Sequence, residues 1–168
     1  ATPGSVELRF TGTQDRVQEL QAQTWAAFRE DIVNETGETL EVELAGMLRE
    51  RKQTVALAES CTGGGLGECF TTVPGASAFF LGGVIAYADE VKVRHLGVPE
   101  ALLETHGAVS PEVAEQLASG VKERFGSDWG ISITGIAGPD GGSAEKPIGL
   151  FYVGVAGPTG TDVIRHQV

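Results

Sequence analysis

The stretch TVALAESCTGGGLGECF, Thr54 to Phe70, decides the fold. Val55 to Ala58 open it as a buried strand, and Ser60, Cys61 and Thr62 break that strand. Three consecutive glycines, Gly63 to Gly65, then lead into a helix. The first turn of a helix has unpaired N–H groups and carries the positive end of the dipole. A strand, a tight turn and a helix start therefore place a nucleophile beside donors that bind an anion or oxyanion. Two side chains compete for that role. Ser60 needs a base to remove its proton, and the N–H groups of Thr62 to Gly65 would hold the oxyanion. Equally, Ser60 is only an N-cap and the glycines only permit a tight turn. Cys61 is the rival, because a helix N-terminus lowers a thiol pKa; the alternative is a small packed residue. Cys69, eight residues on and inside the helix, is read as packing.

Outward from this stretch, strand and helix signals alternate. On its N-terminal side, Thr39 caps a helix with Leu40, Leu44, Met47 and Leu48 on its inner face, and Arg49, Arg51 and Lys52 at its end. On its C-terminal side, Phe79 to Tyr87 (FFLGGVIAY) is an apolar run that suits a buried strand. Asp89 caps a short helix, and VPEALLETHG forms another. SPEVAEQLASGVKERFG is the clearest helix: Ser110 at the N-cap, Pro111 in the first turn, Val113, Leu117, Val121 and Phe125 on one face, Gly126 closing it. WGISITGI is a further buried strand that breaks into the glycine-rich loop AGPDGGSAEKP. GLFYVGVAG and TDVIRHQV read as an antiparallel pair. The expected fold is a layered α/β/α domain with a mixed, mostly parallel sheet, preceded by a small α+β fragment. That fragment, residues 1–38, holds a strand at Val6 to Phe10, a helix from Gln14 to Glu30 with Val17, Leu20, Trp25 and Phe28 at helical spacing, and a turn near Gly37. It reads as the tail of a preceding domain; residues 39–168 form the main one.

Bulk properties narrow the function. A chain of 168 residues with 41% hydrophobic content can bury a sizeable core. The formal net charge of −11 argues against a nucleic-acid surface, which needs a basic face. An anionic small ligand stays open, because a pocket can be locally positive on an acidic protein. Cys61 and Cys69 match neither a disulfide framework nor a zinc spacing, so a reducing cytoplasm is the simplest compartment. No signal peptide and no membrane-spanning apolar run are read.

Two further constellations carry chemistry. In AYADEVKVRHLG, Tyr87 ends a strand and Lys92 lies five residues on. A partly desolvated lysine can act as a base, and a tyrosine can orient it or donate to a leaving group. A surface lysine and an interfacial tyrosine are the plain alternatives. In SITGIAGPDGG, a strand runs into Thr134, Gly135 and Gly138, whose backbone donors and threonine hydroxyl suit a phosphate. This is neither a Walker loop nor the dinucleotide fingerprint, and a flexible connection is the alternative. Lys146 either adds positive charge or is exposed. His95 and His106 lie near helix ends, and no serine–histidine–aspartate grouping or metal-ligand cluster is read.

Taken together and in this order, VALAESCTGG, PGASAFFLGGVIAYADEVKVRHLGV, HGAVSPEVAEQLASGV and ITGIAGPDGGSAEKPIGLFYVGV resemble the C-terminal domain of the competence-damage-inducible CinA proteins. Stand-alone relatives of that domain are nicotinamide mononucleotide deamidases. The resemblance covers Leu40 to the end, and the part before it is similar to the end of the family's small middle domain. It implies hydrolysis of the nicotinamide mononucleotide carboxamide to nicotinate mononucleotide and ammonia, with no cofactor or metal. It implies Ser60 as nucleophile, Tyr87 and Lys92 as its assistants, oxyanion or substrate contacts at Thr62, Gly63 and Gly64, and a substrate pocket lined by Thr134, Gly135, Ala137 and Gly138. Self-association is implied too, with a nucleotide as the small-molecule partner and no direct contact with nucleic acid or membrane. Ala88 and Asp89 stand where relatives commonly carry Ser or Asn and a variable residue. In the family the last strand is followed by a helix that the sequence does not contain, and the N-terminal pyrophosphatase domain of the long form is not part of it. A non-catalytic nucleotide-binding module is the other class of function these residues allow.

Overall fold

A computed structural model describes residues 8–30, 32 and 37–168. The chain divides into two compact units, Ala1–Leu44 and Ala45–Val168. The division falls inside the helix α2 (Leu40–Glu50), six residues beyond the 38/39 boundary read from the sequence.

In the first unit, α1 spans Gln14–Phe28. Val17 and Leu20 are half-buried on it, but Trp25 and Phe28 are exposed and no residue of the helix is fully buried. Of the strand expected at Val6 to Phe10, Val6 and Glu7 lie outside the described residues, and Leu8 to Phe10 are not in a strand. The segment DIVNETGE is described only at Val33's neighbour Ile32 and at Gly37 and Glu38; Gly37 has a φ of 77°, as a turn requires.

The second unit is built on one five-stranded sheet in the order β2-β1-β3-β4-β5. Its strands are β1 (Val55–Glu59), β2 (Phe80–Ile85), β3 (Trp129–Gly135), β4 (Leu150–Ala156) and β5 (Thr161–Gln167). β1 runs parallel to both β2 and β3, while β3–β4 and β4–β5 are antiparallel. Only β4 is therefore reversed, and the sheet is mixed but mostly parallel.

Alternation along β1 assigns its two faces. Ala56 and Ala58 pack with Val113, Leu117 and Val121 of α6 (Pro111–Phe125) and with Leu96 at the end of α4 (Asp89–Leu96). Leu57 and Glu59 point to the other side, toward α3 (Gly65–Thr71). The two alanines let α6 approach the sheet, and burying its three branched residues contributes about 1.5–3 kcal/mol each. Ser110 caps α6 as expected, accepting from the Val113 N–H at 3.3 Å, and Gly126 ends it at φ 62°. A short helix α5 (Glu100–His106) precedes it.

Three local expectations change. On α2 the buried stripe runs through Ala45 and Leu48, leaving Leu40 and Met47 exposed. β2 is an edge strand and not a central one, so Leu81 and Ile85 face solvent; an apolar run reads alike at the edge and in the middle of a sheet. Its Gly83 sits where a Cβ would fall 2.7 Å from the Leu57 carbonyl oxygen, which fits a strand pressed against β1. Finally, Ala88 and not Asp89 is the N-cap of α4. The Asp89 carboxylate pairs with Lys92 instead.

Candidate active site

Pairing of the three parallel strands brings the sequence-predicted groups to one edge. At the end of β1, Glu59 lies beside Ile85 of β2 and Ile133 of β3. The Ser60 N–H donates to the Ile133 carbonyl at 3.0 Å, and the Ala86 N–H donates to the Glu59 carbonyl at 2.7 Å. Ser60 thus sits between the segment that opens at Ala86 and the one that opens at Thr134. These are the carboxyl ends of strands whose connections leave in opposite directions, where open α/β sheets bind ligands. Ser60 is 8% exposed, and among the described residues its hydroxyl has no hydrogen-bond partner.

The turn after Ser60 differs from the expected row of free donors. The Gly63 N–H donates to the Ser60 carbonyl at 3.2 Å, and that of Gly65 to Thr62 at 3.0 Å. Gly64, Leu66 and Gly67 donate to the Glu59 carboxylate at 3.0, 2.9 and 2.8 Å. Of the donors assigned from sequence, Gly63, Gly64 and Gly65 are therefore occupied. Among the described residues the N–H groups of Cys61 and Thr62 donate to no carbonyl or carboxylate, and both lie against the Cys61 thiol. Gly63 and Gly64 serve the turn through φ values of 59° and 110°, which suit glycine.

Cys61 is half-buried, and burial pushes its thiol pKa up. Its own N–H and that of Thr62 pull the other way, while the Glu59 carboxylate adds to the rise. The expected lowering by the helix end is outweighed first by burial, with the Glu59 carboxylate adding to the rise. Cys69 is a half-buried free thiol on α3.

Lys92 is 1% exposed, the largest buried charge in the described residues. Its ammonium donates to the Tyr87 carbonyl at 2.9 Å and to Asp89 Oδ1 at 3.0 Å. Tyr87 therefore holds Lys92 through its backbone, and its ring is 73% exposed. The sequence reading has Tyr87 orient the lysine without assigning that to the ring or the backbone.

Thr134 is fully buried, and its hydroxyl donates to the Ala108 carbonyl at 2.8 Å. Its proton is thus committed inside the protein and not to a phosphate. Gly135 permits strand packing, since a Cβ there would fall 2.5 Å from Phe151 Cβ. Beyond it the loop folds on itself: Ile136 donates to Leu150, Gly149 to Ile136, and Ser143 to Lys146. Gly138, at φ 78° and joined to Pro139 by a cis peptide, packs on Ile148. Among the described residues the N–H groups of Ala137 and Gly138 have no partner. Lys146 does not stand free; it donates to the His106 carbonyl and ties the loop to the end of α5.

His106 lies 3.5 Å from Glu112, and no group of histidine, cysteine or acidic side chains that could hold a metal occurs among the described residues. A cleft of about 450 Å³ lies at the far end of the sheet against Ser119, Lys122, Gly126 and Thr161 and contains none of the candidate groups. Its polar groups are paired with each other, as in Ser119 with Thr161 and Lys122 with Gly157. We place the chemistry at the Ser60 edge on side-chain content. Sequence reasoning missed Glu59 and Asp89. A carboxylate closing a fully apolar strand, just before a glycine turn, was the available signal, because a buried anion requires donors.

The family model of the CinA C-terminal domain matches residues 37–168. The chain belongs to the CinA C-terminal domain family. A CinA-like protein of Thermosynechococcus vestitus is 50% identical over 173 residues, covering 99% of this chain and 42% of that protein. One from Acaryochloris marina is 48% identical over 176 residues, covering 100% and 42%. The chain thus spans about two fifths of the length of these relatives. A crystal structure of a competence-damaged protein (CinA) superfamily member from Escherichia coli shares the fold with a TM-score of 0.76 and 30% identity, over 83% of this chain and 84% of that one. The competence/damage-inducible protein of Agrobacterium tumefaciens gives 0.69 and 36%, over 80% and 83%. Among the described residues no helix is long and apolar enough to cross a membrane.

Proposed function

We propose that this CinA domain is a serine amidohydrolase that converts nicotinamide mononucleotide to nicotinate mononucleotide and ammonia. The observation that carries the reading is the meeting, at one sheet edge, of a serine whose hydroxyl has no protein partner among the described residues with the segment that buries Lys92. Ser60 Oγ attacks the carboxamide carbon. Lys92 as the free amine has two N–H groups and one lone pair. The Tyr87 carbonyl and Asp89 accept the two N–H groups, which leaves the lone pair for the serine proton. That proton passes to the departing nitrogen as the C–N bond breaks, and ammonia leaves. The N–H groups of Cys61 and Thr62 hold the oxyanion, each such donor being worth about 3–4 kcal/mol. Water then cleaves the acyl-serine ester. The free N–H groups of Ala137 and Gly138 suit the substrate phosphate. The reaction written this way uses no cofactor.

One observation favours a second reading. Paired with Asp89 as an ammonium, Lys92 has no lone pair. A domain held in that form would bind a nucleotide without turning it over.

Ammonia release from nicotinamide mononucleotide tests both readings. Wild type and Cys61→Ala should release ammonia, and Ser60→Ala should release none above background. Activity in Ser60→Ala but not Cys61→Ala would sink the serine mechanism, and nucleotide binding with no release by wild type would favour the second reading.

A further inference from the structure

Glu59 is the one buried carboxylate among the described residues, and the chemistry above does not use it. It is 4% exposed and directly precedes the nucleophile. Its backbone is clamped on both sides, pairing with Ile85 and Ile133. Its side chain reaches across the turn and accepts three backbone N–H groups, two on Oε2 and one on Oε1. Gly67 lets the helix come this close, since a Cβ there would lie 3.3 Å from Oε1. All three hydrogen bonds of the carboxylate come from backbone N–H groups, so it serves here as an acceptor for the turn.

We propose that Glu59 is a positioning residue for Ser60. By tying the first turn of α3 to the end of β1, its carboxylate fixes the five-residue turn between them, Ser60 to Gly64. That turn contains two left-handed glycines, which unlocked would sample many conformations. Locked, it withdraws the Gly64, Leu66 and Gly67 N–H groups and holds Ser60 beside those of Cys61 and Thr62, which an oxyanion would take over from the Cys61 thiol. The lock also fills the start of α3 with the protein's own negative charge, so a substrate phosphate is turned away from the nucleophile and toward the loop after β3. The inference rests on the serine reading above but not on the identity of the substrate.

Glu59→Gln is the test. The amide keeps the shape, but it has one acceptor oxygen, so its NH2 group confronts the Gly67 N–H or the Gly64 and Leu66 pair. A fluorophosphonate probe reports the Ser60 nucleophile and its oxyanion donors without any nucleotide. Labelling of Ser60 should slow by about 10²-fold in Glu59→Gln, the order of one misplaced oxyanion donor. Amide exchange at Gly64, Leu66 and Gly67 should speed up while the sheet stays protected. With nicotinamide mononucleotide, kcat should fall and KM stay within about threefold, because the 136–149 loop is untouched. Gly67→Ala keeps the charge and pushes on Oε1, so it should give a smaller loss of the same kind; it stands in if Glu59→Gln does not fold. Labelling within twofold of wild type in the folded variant overturns the inference. Wild type that labels at Ser60 but releases no ammonia sinks the substrate assignment and leaves Glu59 to be judged by labelling alone. Wild type that does not label at Ser60 overturns the nucleophile and the inference together.

Discussion

Replacing Lys92 by methionine separates catalysis from folding. The lysine lies in a slot that leaves it 1% exposed, and methionine is an unbranched side chain of similar length. Loss of a general base should lower kcat by about 10²–10⁴-fold, which is roughly 3–5 kcal/mol of barrier. Stability should hardly move. Exchange of a buried charge for an apolar side chain is often neutral or stabilising by about 1–4 kcal/mol. Against this stands the Tyr87 carbonyl, which loses its donor at a cost of about 1–3 kcal/mol, less where water reaches it. The Asp89 pair adds little, because Asp89 is 61% exposed and such pairs are worth about 1 kcal/mol at most. The terms oppose each other, and the net change should stay within about 2 kcal/mol. Ammonia release from pH 6 to 10, beside thermal unfolding, reads both quantities. If Lys92→Met keeps more than a tenth of wild-type turnover, Lys92 is not the base. If turnover falls only in step with the folded fraction, the lysine is a structural residue and the mechanism fails.

Other expectations are independent of that result. Because burial raises the Cys61 thiol, alkylation of Cys61 by iodoacetamide should be slow at neutral pH and accelerate only above the ordinary thiol range. The folded thiol keeps its proton where the unfolded one loses it, so its contribution to stability is complete below the unfolded pKa and is lost as pH rises through the folded one; rapid neutral labelling would refute this. Asp128 is held below the usual carboxylate range, first by the Thr54 N–H at 2.8 Å and then by its hydroxyl at 2.9 Å. Asp128→Asn should cost about 1 kcal/mol at neutral pH. The difference should vanish as pH falls through the lowered pKa, and denaturant titrations at both pH values would check it. Gly120→Ala should destabilise despite the better helix former, because its Cβ would fall 2.0 Å from the Leu96 carbonyl oxygen. The propensity gain is about 1 kcal/mol and overpacking against backbone costs about 1–3 kcal/mol; a raised melting temperature would show that α4 and α6 can separate.

What the sequence carried follows from what is local. The apolar run Val55 to Ala58, the glycines after it and the Ser110–Pro111 start of α6 each act through neighbours in the chain, and they form the elements read from them. The β4–β5 hairpin is local in the same sense. What escaped depends on partners far along the chain. Nothing in FFLGGVIAY marks it as an edge, because that is settled by which strands take the other side of β1. Thr134 looked like a ligand group, but its acceptor, Ala108, lies 26 residues upstream. The role of Gly120 in α6 is likewise non-local, because the end of α4 crosses there.

Glu59 shows how the two kinds of information meet in the site. From spacing, the glycine turn offers its donors to a ligand, and serine and cysteine are both nucleophiles there. The carboxylate one residue earlier changes both conclusions. It takes the N–H groups of Gly64, Leu66 and Gly67, so the helix end is neutralised before any substrate arrives. It also raises the thiol, which favours oxygen over sulfur as the attacking atom. Removing its charge should therefore do two opposite things at once: slow Ser60 and bring the Cys61 titration to lower pH. A merely structural glutamate would slow Ser60 through general loosening and expose Cys61 evenly at all pH values. A leftward shift of the alkylation profile in Glu59→Gln, with its steepness unchanged, distinguishes the two.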